Sequence, residues 1–286
     1  MNNKKKGSGL DLTTRRIIAN IVLIFICFLC LIWFYILFVN ASRSKGELTK
    51  GFSIIPSTHL IGNLKGALTG TQPFMKGMLN SVFVSFASAA LCTYFSAMTA
   101  YGIHAYTFKL KKPIYAFILA IMMIPSQVTA LGFIRLVTKM NMMNTYTPLI
   151  IPSIAAPATF FYMKQYMDSV LPLEIIEAAR IDGSGEFRTF NTIILPIMRP
   201  AIAVQAIFTL VSSWNNYFTP SLVLTKEEEK KTLPILIAEL RSADFLKFNM
   251  GHVYAAIAFS IFPVMLIYLV LSKNIVGGVA MGAVKG

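Results

Sequence analysis

Six windows of this chain, 17–39, 77–103, 113–134, 140–163, 200–225 and 248–272, run for more than twenty residues without one Asp, Glu, Lys or Arg. An α-helix needs about 20 apolar residues to cross the hydrocarbon core of a bilayer. Lipid offers no hydrogen-bond partners, so a crossing backbone must satisfy itself, and a helix does so within one segment. The windows therefore predict an all-α membrane protein with six transmembrane helices. Composition agrees: of 286 residues 56% are hydrophobic and 13% charged, against about 25% charged in soluble domains. Such apolar content also excludes a disordered chain.

Lys and Arg number 26 against 12 acids, for a net charge of +14. A basic balance can signal nucleic acid, but here the cations flank apolar windows, where they face anionic headgroups. The expected partner is the lipid bilayer, with no nucleic acid. Cys27, Cys30 and Cys92 all lie inside the windows. They read as small apolar fillers, not a redox pair or disulfide framework.

Lys4, Lys5, Lys6, Arg15 and Arg16 precede the first window, which is too long for a cleaved signal segment. We read 1–16 as a cytoplasmic N-terminus, 17–39 as helix one, 40–75 as an external loop and 76–272 as a core of helices two to six. Residues 273–286 form a cytoplasmic tail. The segments read as cytoplasmic carry 14 of the 26 basic residues, and the clearest orientation signal is the short loop holding Lys109, Lys111 and Lys112.

Polar residues inside the windows are patterned. Ser81, Ser85, Ser88, Cys92, Ser96 and Thr99 line one face of helix two, a spacing that favours close helix packing in lipid. Pro125 falls in the middle of helix three, beside Gln127, and Pro148, Pro152 and Pro157 interrupt helix four. Broken backbone is tolerated at membrane depth only against protein or water. On helix five Gln205, Thr209, Ser212, Asn216 and Thr219 share a stripe about 80° wide, with Trp214 on the opposite face. That stripe meets either another helix or a water-filled pathway, because lipid cannot satisfy its amides and hydroxyls.

No ionisable group lies near the middle of a window, which argues against an ion-coupled carrier. His104 and His252 have no metal-ligating neighbours at suitable spacing, and we assign no metal, cofactor or catalytic residue. The phosphate-cradling G-x-x-x-x-G-K-[ST] loop of ATPases is missing. Energy for transport would come from another subunit.

Between helices four and five the cytoplasmic segment 171–196 carries its own design. Pro172 and Glu174 suit a helix start, and Gly183 suits the left-handed residue that ends it. A second short helix over 186–192 leads to Leu195-Pro196, and Pro200 opens helix five. Two short helices joined at a glycine form a docking knob.

The string Glu177-Ala178-Ala179, then Asp182-Gly183, then Phe190, Ile193, Leu195-Pro196 and Pro200, resembles the signature of permease subunits of bacterial ABC importers. Pro125-Ser126-Gln127, Asn144-Thr145-Tyr146, Trp214-Asn215-Asn216 and the tail Gly282-Ala283-Val284-Lys285-Gly286 are similar to the maltose-type sugar permeases, with Asn216 standing where many relatives carry an acid. The resemblance spans roughly 75–286. It implies a type I importer permease fold with both termini cytoplasmic, in a bacterial cytoplasmic membrane. Implied partners are a second permease subunit forming a heterodimer, two ATP-binding cassette subunits and an external solute-binding protein. Glu177, Ala178, Ala179, Asp182, Gly183, Leu195 and Pro196 would then couple to the ATPase, while the tail would reach between the two cassettes. The cargo class would be a sugar or oligosaccharide, with a polyamine or a phosphorylated metabolite as the alternative. We place the translocation pathway along Gln127, Gln205, Thr209, Ser212, Asn216 and Thr219.

Overall fold

The computed structural model describes residues 12–70, 73–242 and 249–283, and these are helical with no strand among them. In chain order the helices are α1 (Leu12–Ala41), α2 (Lys45–Thr49), α3 (Leu60–Thr69), α4 (Phe74–Ala105), α5 (Lys111–Ile121) and α6 (Ser126–Lys139). Next come α7 (Thr147–Ile150), a 3₁₀ turn (Ile151–Ile154), α8 (Pro157–Val170), α9 (Leu173–Ile181) and α10 (Glu186–Thr189). A π-helical turn (Phe190–Ile194) leads to α11 (Leu195–Ile197), α12 (Arg199–Trp214), α13 (Phe218–Val223), a 3₁₀ turn (Glu228–Lys230), α14 (Leu233–Ser242) and α15 (Met250–Ala283). The chain forms two compact units, residues 1–67 with 244–258 and residues 68–243 with 259–286.

In the first unit α1 exposes its apolar side chains along most of its length and buries only its end, at Val39 and Ala41. Ala41 packs with Ala255 and Ala258, flanked by Leu37, Leu64 and Tyr254. The last carbonyls of a helix have no partner within it. Buried Asn63 supplies one, donating to the carbonyls of Ala41 and Arg43, each at 2.8 Å. Gly251 fits because a Cβ there would stand 2.7 Å from Asn63 Nδ2 and 2.8 Å from the Arg43 carbonyl.

The second unit is organised by α4, which packs against α12 and α8. Ser81, Ser85, Ser88, Cys92 and Ser96 are buried as the spacing predicts, whereas Thr99 is exposed and returns its hydroxyl to the Phe95 carbonyl. Tyr101, Phe160, Met163, Met167, Ile176, Phe190, Ile194 and Met198 build the core at one end of α4.

The predicted helix boundaries need correction wherever proline intervenes, since proline lacks an N–H and crowds the preceding turn. The 113–134 window is two helices, with Pro125 extended at φ −62° and ψ 131° ahead of α6. The 140–163 window is α7, a 3₁₀ turn and α8, each with a proline in its first turn. The 200–225 window breaks after Trp214 and resumes as α13. Three helices among the described residues are long and apolar enough to span unbroken, Thr14–Ala41, Phe74–Ala105 and Met250–Val270. Segments Glu186–Ile197 and Arg199–Trp214 make a fourth only as a pair bent by 81°. Pro196 and Pro200 flank that bend. The expected break at 272 is not a helix end either, because α15 continues to Ala283; Val284, Lys285 and Gly286 of the tail motif lie outside the described residues.

Candidate functional site

Two regions bring together the residues singled out by the sequence. The first is the loop built on α9 and α10. Gly183 adopts φ +76°, a conformation that costs an L-residue steric strain and glycine almost none. Its amide donates to the Arg180 carbonyl at 3.0 Å and the Ser184 amide to the Ala179 carbonyl at 2.9 Å. Those two bonds are the paired closure of a Schellman cap. Ile176 and Ala179 are buried beneath α9, while Glu177, Ala178, Asp182 and Gly183 are exposed. Ile181 and Phe187 stand 85% and 71% exposed beside them. The loop thus offers a mixed acidic and apolar surface on a rigid turn.

Arg180 and Glu186 hold that turn closed, with Nε 2.7 Å from Oε1. The Tyr101 hydroxyl of α4 donates to the same carboxylate at 2.6 Å, and the Arg180 guanidinium lies 5.1 Å from the Tyr106 ring centre. The hydrogen bond from Arg180 is the main cause that lowers the Glu186 carboxyl to about 2. A further tie is made by His104, whose Nδ1 lies 2.8 Å from Asp168 Oδ1 and Nε2 3.0 Å from the Leu171 carbonyl. Burial works to raise the Asp168 carboxyl, and hydrogen bonds from Lys164 and His104 outweigh it, leaving the group lowered. The far end of α4 is thereby fastened to the start of the α9 segment.

Leu195 and Pro196 belong to a different surface from the knob. They line a recess of about 370 Å³ with Tyr94, Asn191 and Arg199. The family resemblance groups them with Glu177 and Gly183; the π-helical turn and α11 carry them to the α4 side.

The second region is a cleft of about 570 Å³ in the second unit, to which Gln205, Thr209, Ser212, Asn216 and Thr219 all contribute. Helix periodicity explains the first three. Asn216 and Thr219 arrive by another route, because α12 ends at Trp214 and Asn216 Oδ1 accepts from the Thr219 amide at 3.3 Å at the start of α13. Trp214 is buried and does not line the cleft. Gln127 is exposed and does not line it either; Thr129, Ala130 and Phe133 of α6 do. Ser88 and Cys92 of α4 form part of the wall, so the helix-two stripe does more than pack. The Thr209 hydroxyl donates to Cys92 Sγ and the thiol donates to Thr159 Oγ1, both at 3.4 Å. Thr129, Ser153 and Thr159 were not foreseen, because proline-broken helices give no continuous period to follow.

Among the described residues none that lines the cleft is charged. Hydroxyls and two carboxamides alternate with Phe133, Phe208 and Phe218. Such a wall can exchange hydrogen bonds with a neutral polyhydroxylated solute and shield its apolar faces, and it supplies no counter-charge for an ion.

Residues 93–280 match the family described as binding-protein-dependent transport system inner membrane component. The chain is 33% identical over 265 residues to the arabinooligosaccharides transport system permease protein AraQ of Halalkalibacterium halodurans, covering 92% of this chain and 94% of that one. It is 30% identical over 277 residues to the sn-glycerol-3-phosphate transport system permease protein UgpE of Yersinia pestis, covering 94% and 96% respectively. The crystal structure of a bacterial ABC transporter involved in the import of the acidic polysaccharide alginate contains a chain similar in fold. The TM-score is 0.79 at 19% identity, over 93% of this chain and 99% of that one. This chain belongs to the inner-membrane permease components of binding-protein-dependent transport systems.

Proposed function

We propose that this permease is one half of a heterodimeric pore in an ATP-driven ABC importer and passes a neutral sugar or oligosaccharide delivered by an external solute-binding protein. Six membrane crossings put both termini in the bacterial cytoplasm, with the proline-broken segments counting as spans. The 171–196 loop docks on one of two ATP-binding cassette subunits through Glu177, Ala178, Asp182 and Gly183. The cleft bounded by Gln205, Thr209, Ser212, Asn216 and Thr219 forms this subunit's share of the pathway.

The observation that carries the cargo class is the uncharged, hydroxyl-rich and aromatic lining of the cleft. Arabino-oligosaccharide transport by a relative 33% identical supports the same class. A phosphorylated solute is the second reading, favoured by the glycerol-phosphate relative at 30% identity. An anion would leave its water here without meeting a cation on this wall, at a cost of several kcal/mol.

The test is ATP turnover by the reconstituted importer with its binding protein. Neutral oligosaccharide should stimulate turnover, and glycerol 3-phosphate should not. Stimulation by the phosphorylated solute alone would reverse the assignment.

A further inference from the structure

We propose that the pocket where α1 ends, whose cations are Arg43 and Lys50, binds the phosphodiester headgroup of an anionic membrane lipid. Arg43 is only 6% exposed. Its guanidinium donates to Asn40 Oδ1 at 3.4 Å and to the Glu47 carbonyl. Among the described residues no carboxylate lies within ion-pair distance of it. A buried cation with only neutral partners is costly, and an anion beside it offsets that cost. The negative end of the α1 dipole explains a cation near this helix end, but not why it borders an open pocket of about 260 Å³.

Glu47 also lines that pocket and keeps its negative charge, so the two pocket cations, Arg43 and Lys50, stand against one acid. It accepts from the Ser44 amide at 2.7 Å and from the Ser44 and Ser57 hydroxyls at 3.0 Å, and lies 3.6 Å from His59 Nδ1. Of the charged residues in segment 43–57, Arg43, Lys50 and Glu47 line the pocket, which leaves it with a net positive charge.

Position selects lipid as the source of the anion. The Tyr35 hydroxyl of α1 donates to the Ile54 carbonyl at 2.7 Å, which holds the loop beside the helix about 9 Å before its end. Trp33 and Tyr35 are exposed there, and aromatic side chains of this kind mark the membrane–water boundary. The loop presents Phe52 at 79% and Ile55 at 73% exposure, next to Lys50. Apolar side chains dip toward acyl chains while the basic pocket meets the phosphate, the pairing used by interfacial segments.

Native mass spectrometry of the assembled importer in detergent tests this with phosphatidylglycerol, diacylglycerol of the same chains, and inorganic phosphate as competitor. Phosphatidylglycerol should be retained in preference to diacylglycerol. Lys50→Gln, an exposed change, should weaken retention about fivefold, and Arg43→Gln should weaken it further. Phe52→Ser should lower retention while leaving the preference for phosphatidylglycerol over diacylglycerol. Equal retention of diacylglycerol, or no effect of Lys50→Gln, would overturn the proposal. Displacement by inorganic phosphate at equal concentration would make this a free-anion site, and an assembled importer that retains no phosphatidylglycerol would likewise overturn the proposal.

Discussion

Replacing Gly183 by valine separates conformation from contact in the loop between α9 and α10. A Cβ at this position meets nothing within 4 Å, so no clash contributes. What remains is the backbone, held at φ +76° by the Schellman pair from Gly183 and Ser184 to Arg180 and Ala179. A non-glycine residue there costs about 1–2 kcal/mol, and a β-branched one stands at or above the upper end of that range. At about 2 kcal/mol the population of the native turn falls roughly thirtyfold relative to alternatives. A partner that binds only that turn loses apparent affinity in proportion to the fraction of loops that leave it, approaching the same factor where the alternatives come to dominate. Asparagine tolerates this conformation, as Asn141 at φ 56° and Asn144 at φ 58° do in this chain. In proteoliposomes, solute-stimulated ATP turnover at limiting cassette concentration should fall strongly for Gly183→Val and modestly for Gly183→Asn. Glu177→Lys should also fall, through charge rather than shape. Wild-type turnover by Gly183→Val at equal expression would refute the conformational argument. An equal loss for asparagine and valine would shift the explanation from backbone to surface.

Four further outcomes are expected. Glu186 has its carboxyl lowered from 4.5 to about 2, so its contribution is fully present above pH 4.5 and lost as pH falls through about 2; hydrogen exchange at 180–190, corrected for the intrinsic rate, should show no loss of protection between pH 7 and 5. Glu186→Gln should loosen the same amides at pH 7 by about 0.5–1 kcal/mol, the modest range fitting a pair more than one-third exposed. Asn144 Oδ1 accepts from the amides of Thr225 and Lys226 at 2.8 and 2.9 Å, so Asn144→Ala should speed proteolysis of 223–227 and lose about 2 kcal/mol locally, while Asn144→Asp should retain most protection. Gly251→Ala drives a Cβ into Asn63 and the Arg43 carbonyl and should destabilise the protein by about 1–3 kcal/mol, read as a lower melting temperature in detergent.

Legibility in the sequence followed chemistry that admits few solutions. Gly183 was readable because a helix stopping before an exposed loop needs a residue at positive φ, and glycine fills that role. Gln205, Thr209 and Ser212 were readable because an unbroken helix carries its phase. That phase ended at Trp214, and Asn216 and Thr219 reach the cleft only because α13 turns them back. Pro125 reset the phase in the other direction. It starts α6 afresh, so Thr129, Ala130 and Phe133 share the cleft face and Gln127, roughly half a turn from Thr129, does not. Thr159 sits on α8 after two earlier proline breaks, and no local period connects it to Cys92. Residues 273–286 read as a tail beyond the last span, yet the helix continues through them as far as Ala283, since glycine and alanine weaken a helix without forbidding it.

Cysteine accessibility across α12 and α13 addresses the pathway most directly. In an assembled importer with Cys27 and Cys30 replaced by alanine and Cys92 by serine, single cysteines at 205, 209, 212, 214, 216 and 219 would be reacted with a membrane-impermeant thiol reagent. Labelling is expected at 205, 209, 212, 216 and 219, with rates that change on adding binding protein, solute or a trapped nucleotide, and protection at 214 in every state. Labelling at 214 with protection of the other five throughout would make the stripe a packing seam and place the route of the solute elsewhere.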